Sequence, residues 1–323
     1  MAGNVWVLAE HWRGHLSDLT LEALALGREL ATARGCKLEA VLLGSGAKGM
    51  SGGLGAADTV VSVDHPTLAE PNPEAYCRAL AALLPERKPA ALLVPLSNVG
   101  WDLIGLLPAR LEIPLINFCR DLHVVDGKLE ARCLLYGGKL ETTVEASGAP
   151  VVVGLLAGAR AAAAPGASAP AVEDVTLDLP AEGKVRFEEY LDPAPGDVDV
   201  TQQSVLVSVG RGIQTQDNIA LAEELAGALG GAVSASRPVI DQGWLPLTRQ
   251  VGKSGATVKP KLYFAAGISG APEHVEGMKG AELIVAVNTD PGAPIFSVAH
   301  YGIVGDALEV LPALTAAVKA RKG

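Results

Sequence analysis

The sequence predicts two α/β domains in series: a mostly parallel sheet extended by antiparallel strands, then a doubly wound, Rossmann-like unit. Three observations carry this. The chain has 323 residues, 49% of them apolar and 19% charged, so it can bury more core than one typical domain holds. Short β-branched runs alternate with helix-period segments in both halves. Between the halves lies GARAAAAPGASAPA, residues 158–171, a low-complexity stretch that reads as a surface linker or loop. The expected division is residues 1–190 and 191–323.

In the first half, residues 5–9 (VWVLA) read as a strand. Residues 19–34 follow as an amphipathic helix, with Leu21, Leu24, Ala25, Gly27, Arg28 and Leu30 setting its faces and Gly35 ending it. A strand at 38–43, a glycine-rich turn (GSGAKGMSGGLG), a strand at 59–63, a helix at 73–84 and a buried run at 90–95 continue the alternation. Such spacing predicts parallel strands covered on both faces. After Asp121 the pattern changes to HVVDGKLEARCLLYGGKLETTVEASGAPVVVGLL. Turns at Asp126-Gly127 and Gly137-Gly138 make this stretch read as antiparallel hairpins.

From Ser204 the alternation resumes, with strands at 205–209, 232–235, 262–266 and 283–287, a helix at 218–229 and a closing helix at 306–321. In such a unit ligands sit at the carboxyl ends of the strands.

Bulk chemistry excludes several functions. A formal net charge of −10 without clustered Lys and Arg argues against nucleic acid or an anionic membrane surface. Cys36, Cys77, Cys119 and Cys133 form no C-x-x-C pair, so they read as reduced thiols and suggest no metal site. The opening MAGNVWVLAEHWRG does not read as a signal segment, and the apolar run at 151–157 is too short to span a bilayer. A cytoplasmic protein, or one in an equivalent matrix compartment, is expected.

Five strand-end turns in the second half share one character: SVGRGI (208–213), SASRPVID (234–241), QVGKSGATV (250–258), GISGAPEH (267–274) and AVNTDPGAPIF (286–296). Each sets small residues beside hydroxyl, amide or cationic groups. Glycines let backbone N–H groups approach a phosphate or ring closely, so together these turns describe a nucleotide-shaped cavity. Familiar signatures are missing: VGKSG lacks the upstream glycine of a P-loop, GRGIQTQ has two of the three dinucleotide glycines, and no G-x-S-x-G elbow occurs.

The segment LYFAAGISGAPEHVEGMKGAELIVAVNTDPGAPIFSVAHYGIVGD closely resembles the signature of the electron transfer flavoprotein alpha subunit, and SVGRGI, SASRPVID and QVGKSG match that family's other flavin-contacting turns in order. The resemblance covers the whole chain and is most specific over residues 204–312. It implies FAD bound mainly by the second domain, in a heterodimer with a beta subunit that the first domain contacts. It implies an electron carrier rather than an enzyme with its own substrate. Electrons would arrive from acyl-CoA dehydrogenases of fatty acid oxidation or related enzymes. They would leave, through transient docking, to an acceptor such as a membrane quinone reductase. An electron-bifurcating, NADH-linked relative, or a nucleotide-binding paralogue with weak flavin retention, is the alternative. The beta subunit would hold AMP or a second FAD.

By motif, the resemblance assigns Arg211 and Ser236 to the cofactor's phosphates or sugars and Arg237 to the isoalloxazine. Val251, Gly252, Lys253 and Ser254 would meet the pyrimidine edge and N5, with Ser254 in place of a more usual threonine. Ser269, Gly270, Ala271, Pro272, Glu273 and His274 would line the ring and ribityl chain, and Asn288 and Asp306 would hold the adenosine end. A reduced, anionic flavin concentrates charge at N1 and the C2 carbonyl, where a histidine or arginine favours it. Each residue also has a plainer reading. His274 can be a helix-start histidine satisfied by backbone, Arg211 and Arg237 surface cations, Asn288 a turn residue and Asp306 an N-cap. Four positions depart from the family's usual pattern: Lys253 for glutamine, Pro272 and Glu273 for Ile-Gln, and His300 for aspartate. The paired appearance of Lys253 and Glu273 suggests that the two face each other across the flavin site.

Overall fold

A computed structural model describes residues 3–136, 138, 140–146, 148, 150–164, 169–180, 183–190 and 197–322. The chain divides into Met1–Glu188 and Glu189–Gly323. The boundary expected after residue 190 falls beside 191–196, which lie outside the described residues.

The first unit runs β1 (Val5–Ala9), the two-residue strands β2 (His11–Trp12) and β3 (His15–Leu16), α1 (Asp18–Arg34), β4 (Leu38–Gly44), β5 (Thr59–Asp64), α2 (Pro73–Arg87), β6 (Ala91–Pro95) and α3 (Asn98–Leu111). It continues through β7 (Leu115–Val125), β8 (Lys128–Leu135), β9 (Leu140–Ala146), β10 (Val151–Leu155) and β11 (Ala171–Val175). Nine of these strands form one sheet in the order β11-β5-β4-β1-β6-β10-β7-β8-β9. Its pairings are parallel except β7 with β8 and β8 with β9, which are antiparallel.

Every residue of β1 is buried, and alternate side chains feed opposite layers. Val5, Val7 and Ala9 pack with Leu24 and Leu30 of α1, whereas Trp6 and Leu8 pack with Leu80 and Leu83 of α2 and Leu103 and Leu107 of α3. Helix α1 starts because Ser17 accepts a hydrogen bond from the Thr20 N–H, and it stops at Gly35, whose φ of 63° is left-handed. Its buried face is Thr20, Ala23, Leu24, Leu26, Gly27, Leu30 and Ala31, turned from the stripe expected through Leu21 and Arg28. Arg28 instead donates to the Ala56 carbonyl and pairs with Asp58.

Asp126 (φ 48°) and Gly127 (φ 77°) form the left-handed two-residue turn between β7 and β8 that the sequence signals. Gly137 lies outside the described residues. The run 151–155, read with the hairpins, returns as β10 to the middle of the sheet, parallel to β6 and β7. Its five buried residues lack the alternation of an exposed hairpin strand, which is the physical reason it belongs inside. The low-complexity stretch is pinned where described. Ala163 N–H donates to the Leu21 carbonyl, and Arg160 reaches Glu29 and Asp121. Asp121 also binds Arg132 and His123, and these partners hold its buried carboxyl well below the usual range despite the opposing cost of burial. Residues 165–168 lie outside the described residues.

The second unit contains β12 (Val205–Val209), α4 (Ile219–Leu229), β13 (Ala232–Ala235), α5 (Arg237–Asp241), β14 (Leu262–Ala266), α6 (Pro272–Met278), β15 (Leu283–Asn288), β16 (Tyr301–Val304) and α7 (Ala307–Lys322). Its five strands are all parallel, in the order β13-β12-β14-β15-β16. Val207 and Val209 pack with Leu225 of α4 and Leu311 of α7, while Leu206, Tyr263 and Ala265 pack with Met278 of α6 on the other face. From β12 the chain adds β13 on one side and then β14 on the other. That reversal opens a crevice at the carboxyl ends of β12 and β14.

Candidate functional site

The strand-end turns of the second unit gather along this carboxyl edge. Gly210 N–H donates to the Ala266 carbonyl at 2.9 Å, Gly212 N–H to the Gly267 carbonyl at 3.0 Å, and Gly267 N–H to the Val287 carbonyl at 2.9 Å. A Cβ on Gly210 would lie 2.3 Å from the Gly267 oxygen, and one on Gly267, whose φ is +65°, 2.7 Å from the Gly212 Cα. Glycine is therefore required for these backbones to close together. Further along, Ile295 N–H donates to the Ser269 carbonyl and Gly305 N–H to the Asn288 carbonyl. The 250–256 turn is tied in by Val251 N–H to the Ala235 carbonyl at 2.9 Å and Lys253 N–H to the Glu273 carbonyl at 2.7 Å.

Apart from His300, the residues singled out by sequence lie on this edge. Arg211 is exposed on the 3-10 turn after β12. Ser236 precedes α5 and is buried, without capping that helix through its hydroxyl. Arg237 is exposed and lies 3.5 Å from Asp241 one helical turn on. Val251 and Gly252 are buried, and Lys253 and Ser254 are exposed. Pro272 occupies the first turn of α6, where its missing N–H costs nothing. Ser269, Ala271 and Glu273 are exposed beside buried Gly270 and His274.

Lys253 and Glu273, expected to face each other, are joined here through their backbones. Asn288 is partly committed: its Nδ2 donates to the Ile268 carbonyl at 2.9 Å and its Oδ1 accepts from Asp290 N–H. Asp306 accepts from Leu308 N–H at 2.9 Å, the N-cap bond of α7. His300 is used locally, its Nδ1 accepting from Ile284 N–H near the amino end of β15. Trp244 packs against the core under α4.

The chemistry concentrates at His274. The residue is only 7% exposed, its Nε2 lies 2.9 Å from the Tyr263 hydroxyl, and its buried Nδ1 has no partner of good geometry among the described residues. Burial pushes the imidazole down to about 4, with the Val251 backbone opposing, so the ring is neutral near pH 7. Tyr263 is fully buried and its phenol is pushed upward by burial, against the Ser208 and Ser234 hydroxyls. Two site residues escaped sequence reasoning. Tyr263 reads only as an aromatic in an apolar strand, and its polar tip leaves no periodic trace. Gln250 is buried, and its Nε2 donates to the Ser254 Oγ at 3.1 Å, leaving the serine's own hydrogen to point elsewhere. The spacing of four between Gln250 and Ser254 was the one available signal.

A glycine-lined crevice at a topological switch point, edged by two arginines, a held hydroxyl and a buried neutral histidine with an open nitrogen, fits a nucleotide cofactor with a polar ring. The fold and site thus define a two-unit α/β protein with a cofactor-type crevice on its second unit. The chain belongs to the electron transfer flavoprotein alpha-subunit family. Residues 199–279 match the family model described as the electron transfer flavoprotein FAD-binding domain, and residues 5–180 match the electron transfer flavoprotein domain. Among its relatives, the electron transfer flavoprotein subunit alpha of Thermoanaerobacterium thermosaccharolyticum is 36% identical over 99% of this chain and 98% of the relative. The Protein FixB of Clostridium saccharobutylicum is 37% identical over 98% of this chain and 96% of the relative. The acryloyl-CoA reductase electron transfer subunit beta of Anaerotignum propionicum is 36% identical over 99% and 96%. Among the described residues no group of His, Cys, Asp and Glu could hold a metal ion, and no helix is long and apolar enough to cross a membrane.

Proposed function

We propose that this chain is the FAD-holding alpha subunit of a heterodimeric electron carrier, with the cofactor seated on the carboxyl edge of the five-stranded sheet. The observation that carries the reading is the buried His274 with an open Nδ1 beside glycine turns that admit no side chain. A buried polar atom without a partner costs about 1–3 kcal/mol, and a ligand acceptor would offset that cost. FAD bound there would take up and release electrons while the protein transforms no substrate of its own.

The chain's residues bind and orient. Gly210, Gly212, Gly267 and Gly270 allow close backbone approach. Arg211 and Ser236 meet phosphates or sugars, and Arg237 lies against the ring. Val251, Gly252, Lys253 and Ser254 form the rim at the pyrimidine edge. With its oxygen occupied by Gln250, Ser254 is left as a hydrogen donor suited to N5. Ser269, Ala271, Pro272 and Glu273 flank the ribityl chain, and His274, neutral near pH 7, presents a donor to the C2 carbonyl edge. Asn288 retains a second N–H, and Asp306 a carboxylate, for the adenosine end. The beta subunit completes the site and holds AMP. Acyl-CoA or related dehydrogenases supply electrons, and a membrane quinone reductase is a fitting acceptor.

A second reading, an NADH-linked bifurcating pair with a second FAD in the beta subunit, draws on the relative named for acryloyl-CoA reductase. Co-purification with the beta partner, a visible spectrum and a flavin count per heterodimer separate the two. One flavin supports the simple carrier and two the bifurcating pair. A colourless complex that resists reconstitution with FAD overturns both.

A further inference from the structure

The geometry points to Tyr263 as a positioning residue: its hydroxyl donates to Nε2 of His274, holding the neutral imidazole as the tautomer with hydrogen on Nδ1, so that a donor faces the ligand. This inference rests on the reading of the edge as a cofactor site. The tautomer itself is a property of the chain alone.

The argument is a count of donors and acceptors. Tyr263 Oη and His274 Nε2 are 2.9 Å apart, so one hydrogen lies between them, and either atom could own it. Two surroundings decide. On the ring's side, Val251 has spent its N–H on the Ala235 carbonyl, so the group it offers the imidazole is its carbonyl. A carbonyl beside a bare ring nitrogen is repulsive, whereas beside Nδ1–H it is attractive, even where the angle is too poor for a full hydrogen bond. On the phenol's side, Ser208 and Ser234 lie in the same layer of the sheet as Tyr263, and their hydroxyls oppose the upward push of burial on the phenol. Ser208 is in register with Ser234 on β13 and with Ala265 on β14, two residues beyond Tyr263. Both hydroxyls are fully buried, and neither oxygen has a hydrogen-bond partner of good geometry among the described residues. Each has one hydrogen to place, and the phenol oxygen has two lone pairs to receive them. With both serines donating to Oη, the phenol's own hydrogen is left for Nε2, and every buried donor in the group is used. The opposite assignment asks the phenol oxygen to accept three hydrogens with two lone pairs and leaves its own hydrogen without an acceptor.

The titratable groups around the ring are Tyr263 on β14, Lys253 on the 250–256 turn, and Glu273 and Glu276 on α6; the last three are exposed. The two causes that shift the imidazole are burial and the Val251 backbone. Phenylalanine at 263 would fill the same volume while deleting only the donor.

The test reads the tautomer directly, by nitrogen NMR of the imidazole in the full chain labelled at histidine, without FAD and then saturated with it. The wild-type chain should show Nε2 bare and Nδ1 bearing hydrogen. Tyr263→Phe should lose that single tautomer for a mixture. It should also move the His274 titration upward, because a bond that favours the neutral ring is gone. FAD affinity, followed by flavin fluorescence on the heterodimer, should fall about two- to tenfold, the worth of one hydrogen bond. If Tyr263→Phe fails to fold, 3-fluorotyrosine at 263 keeps the fold and sharpens the donor. The Nε2 shift should then move in step with phenol acidity. Hydrogen on Nε2 in the wild-type chain, or a tautomer and shift indifferent to both changes at 263, overturns the proposal. A heterodimer that binds no FAD while the tautomer responds as stated would sink the cofactor reading and leave the positioning role standing.

Discussion

Glu273 and Lys253 bring opposite charges to a rim that the family resemblance implies to be neutral. Lys253 N–H donates to the Glu273 carbonyl, so both side chains spring from one backbone contact. If they pair across the ligand, Glu273→Gln frees the lysine's charge, and the midpoint potential of bound FAD rises by an equivalent of about 1 kcal/mol or less, since the pair is exposed. Unchanged potential and affinity would mean that Glu273 points away from the ring. His274 gives a pH prediction with a definite sign. Its folded-state value is pushed from 6.5 down to about 4. The unfolded chain therefore binds the extra proton first, and the cost to folding grows as pH falls from about 6.5 to about 4, reaching about 3 kcal/mol. His274→Gln should flatten the pH dependence of the ligand-free chain's stability in that window, measured by urea unfolding at successive pH values. Equal slopes for the two proteins would place the ring in water. The sequence supplied His274 and its neighbours, yet neither the open Nδ1 nor the Tyr263 contact could be read there. Both depend on how far α6 sinks onto β14.

At the scale of elements, the periodic segments were legible and the atypical ones were not. Strands at 205–209, 232–235 and 262–266 fall where their apolar runs place them. Helix α3 was missed because Gly100, Gly105 and Pro108 disguise a helix as loop. Gly100 is there for packing, since a Cβ would lie 1.8 Å from the Pro95 carbonyl oxygen. Strand β16 was missed because all four of its residues are exposed and carry no burial pattern. Strand β11 is a half-exposed edge that pairs with β5 alone. The glycine turns make a sharper prediction. Gly270 has a φ of +87°, and a Cβ there would lie 2.3 Å from the Ile295 nitrogen. Gly270→Ala therefore meets both left-handed backbone strain and a backbone clash, and should cost about 2–4 kcal/mol. Because the turn lies in the site, FAD binding should be lost before the global unfolding midpoint is reached. A variant with wild-type stability and full FAD occupancy would show that this turn can open freely.

At the scale of the whole molecule, the first unit offers a surface that its own core does not explain. The antiparallel extension ends in a hairpin where Leu135 and Leu140 are directly opposed across β8 and β9. They are 41% and 56% exposed, and neighbouring Tyr136 is 76% exposed. Two opposed leucines and a neighbouring tyrosine, all exposed, give this tip an apolar face that a partner could cover. Among the described residues β9 is also the outermost strand at that end of the nine-stranded sheet, an edge that a partner strand could pair. We assign this tip to the proposed beta subunit, which the first unit is expected to contact. Leu135→Glu combined with Leu140→Glu changes only exposed positions, so thermal stability of the isolated chain should move by less than about 1 kcal/mol. Burying two unpaired carboxylates at an interface is far costlier, several kcal/mol each before relaxation. Co-purification of the beta subunit should therefore weaken by at least about a hundredfold, with FAD retention falling alongside if the partner completes the site. A double variant that still captures the beta subunit at wild-type affinity would move the interface elsewhere on the first unit. The hairpin tip would then need an occupant of its own.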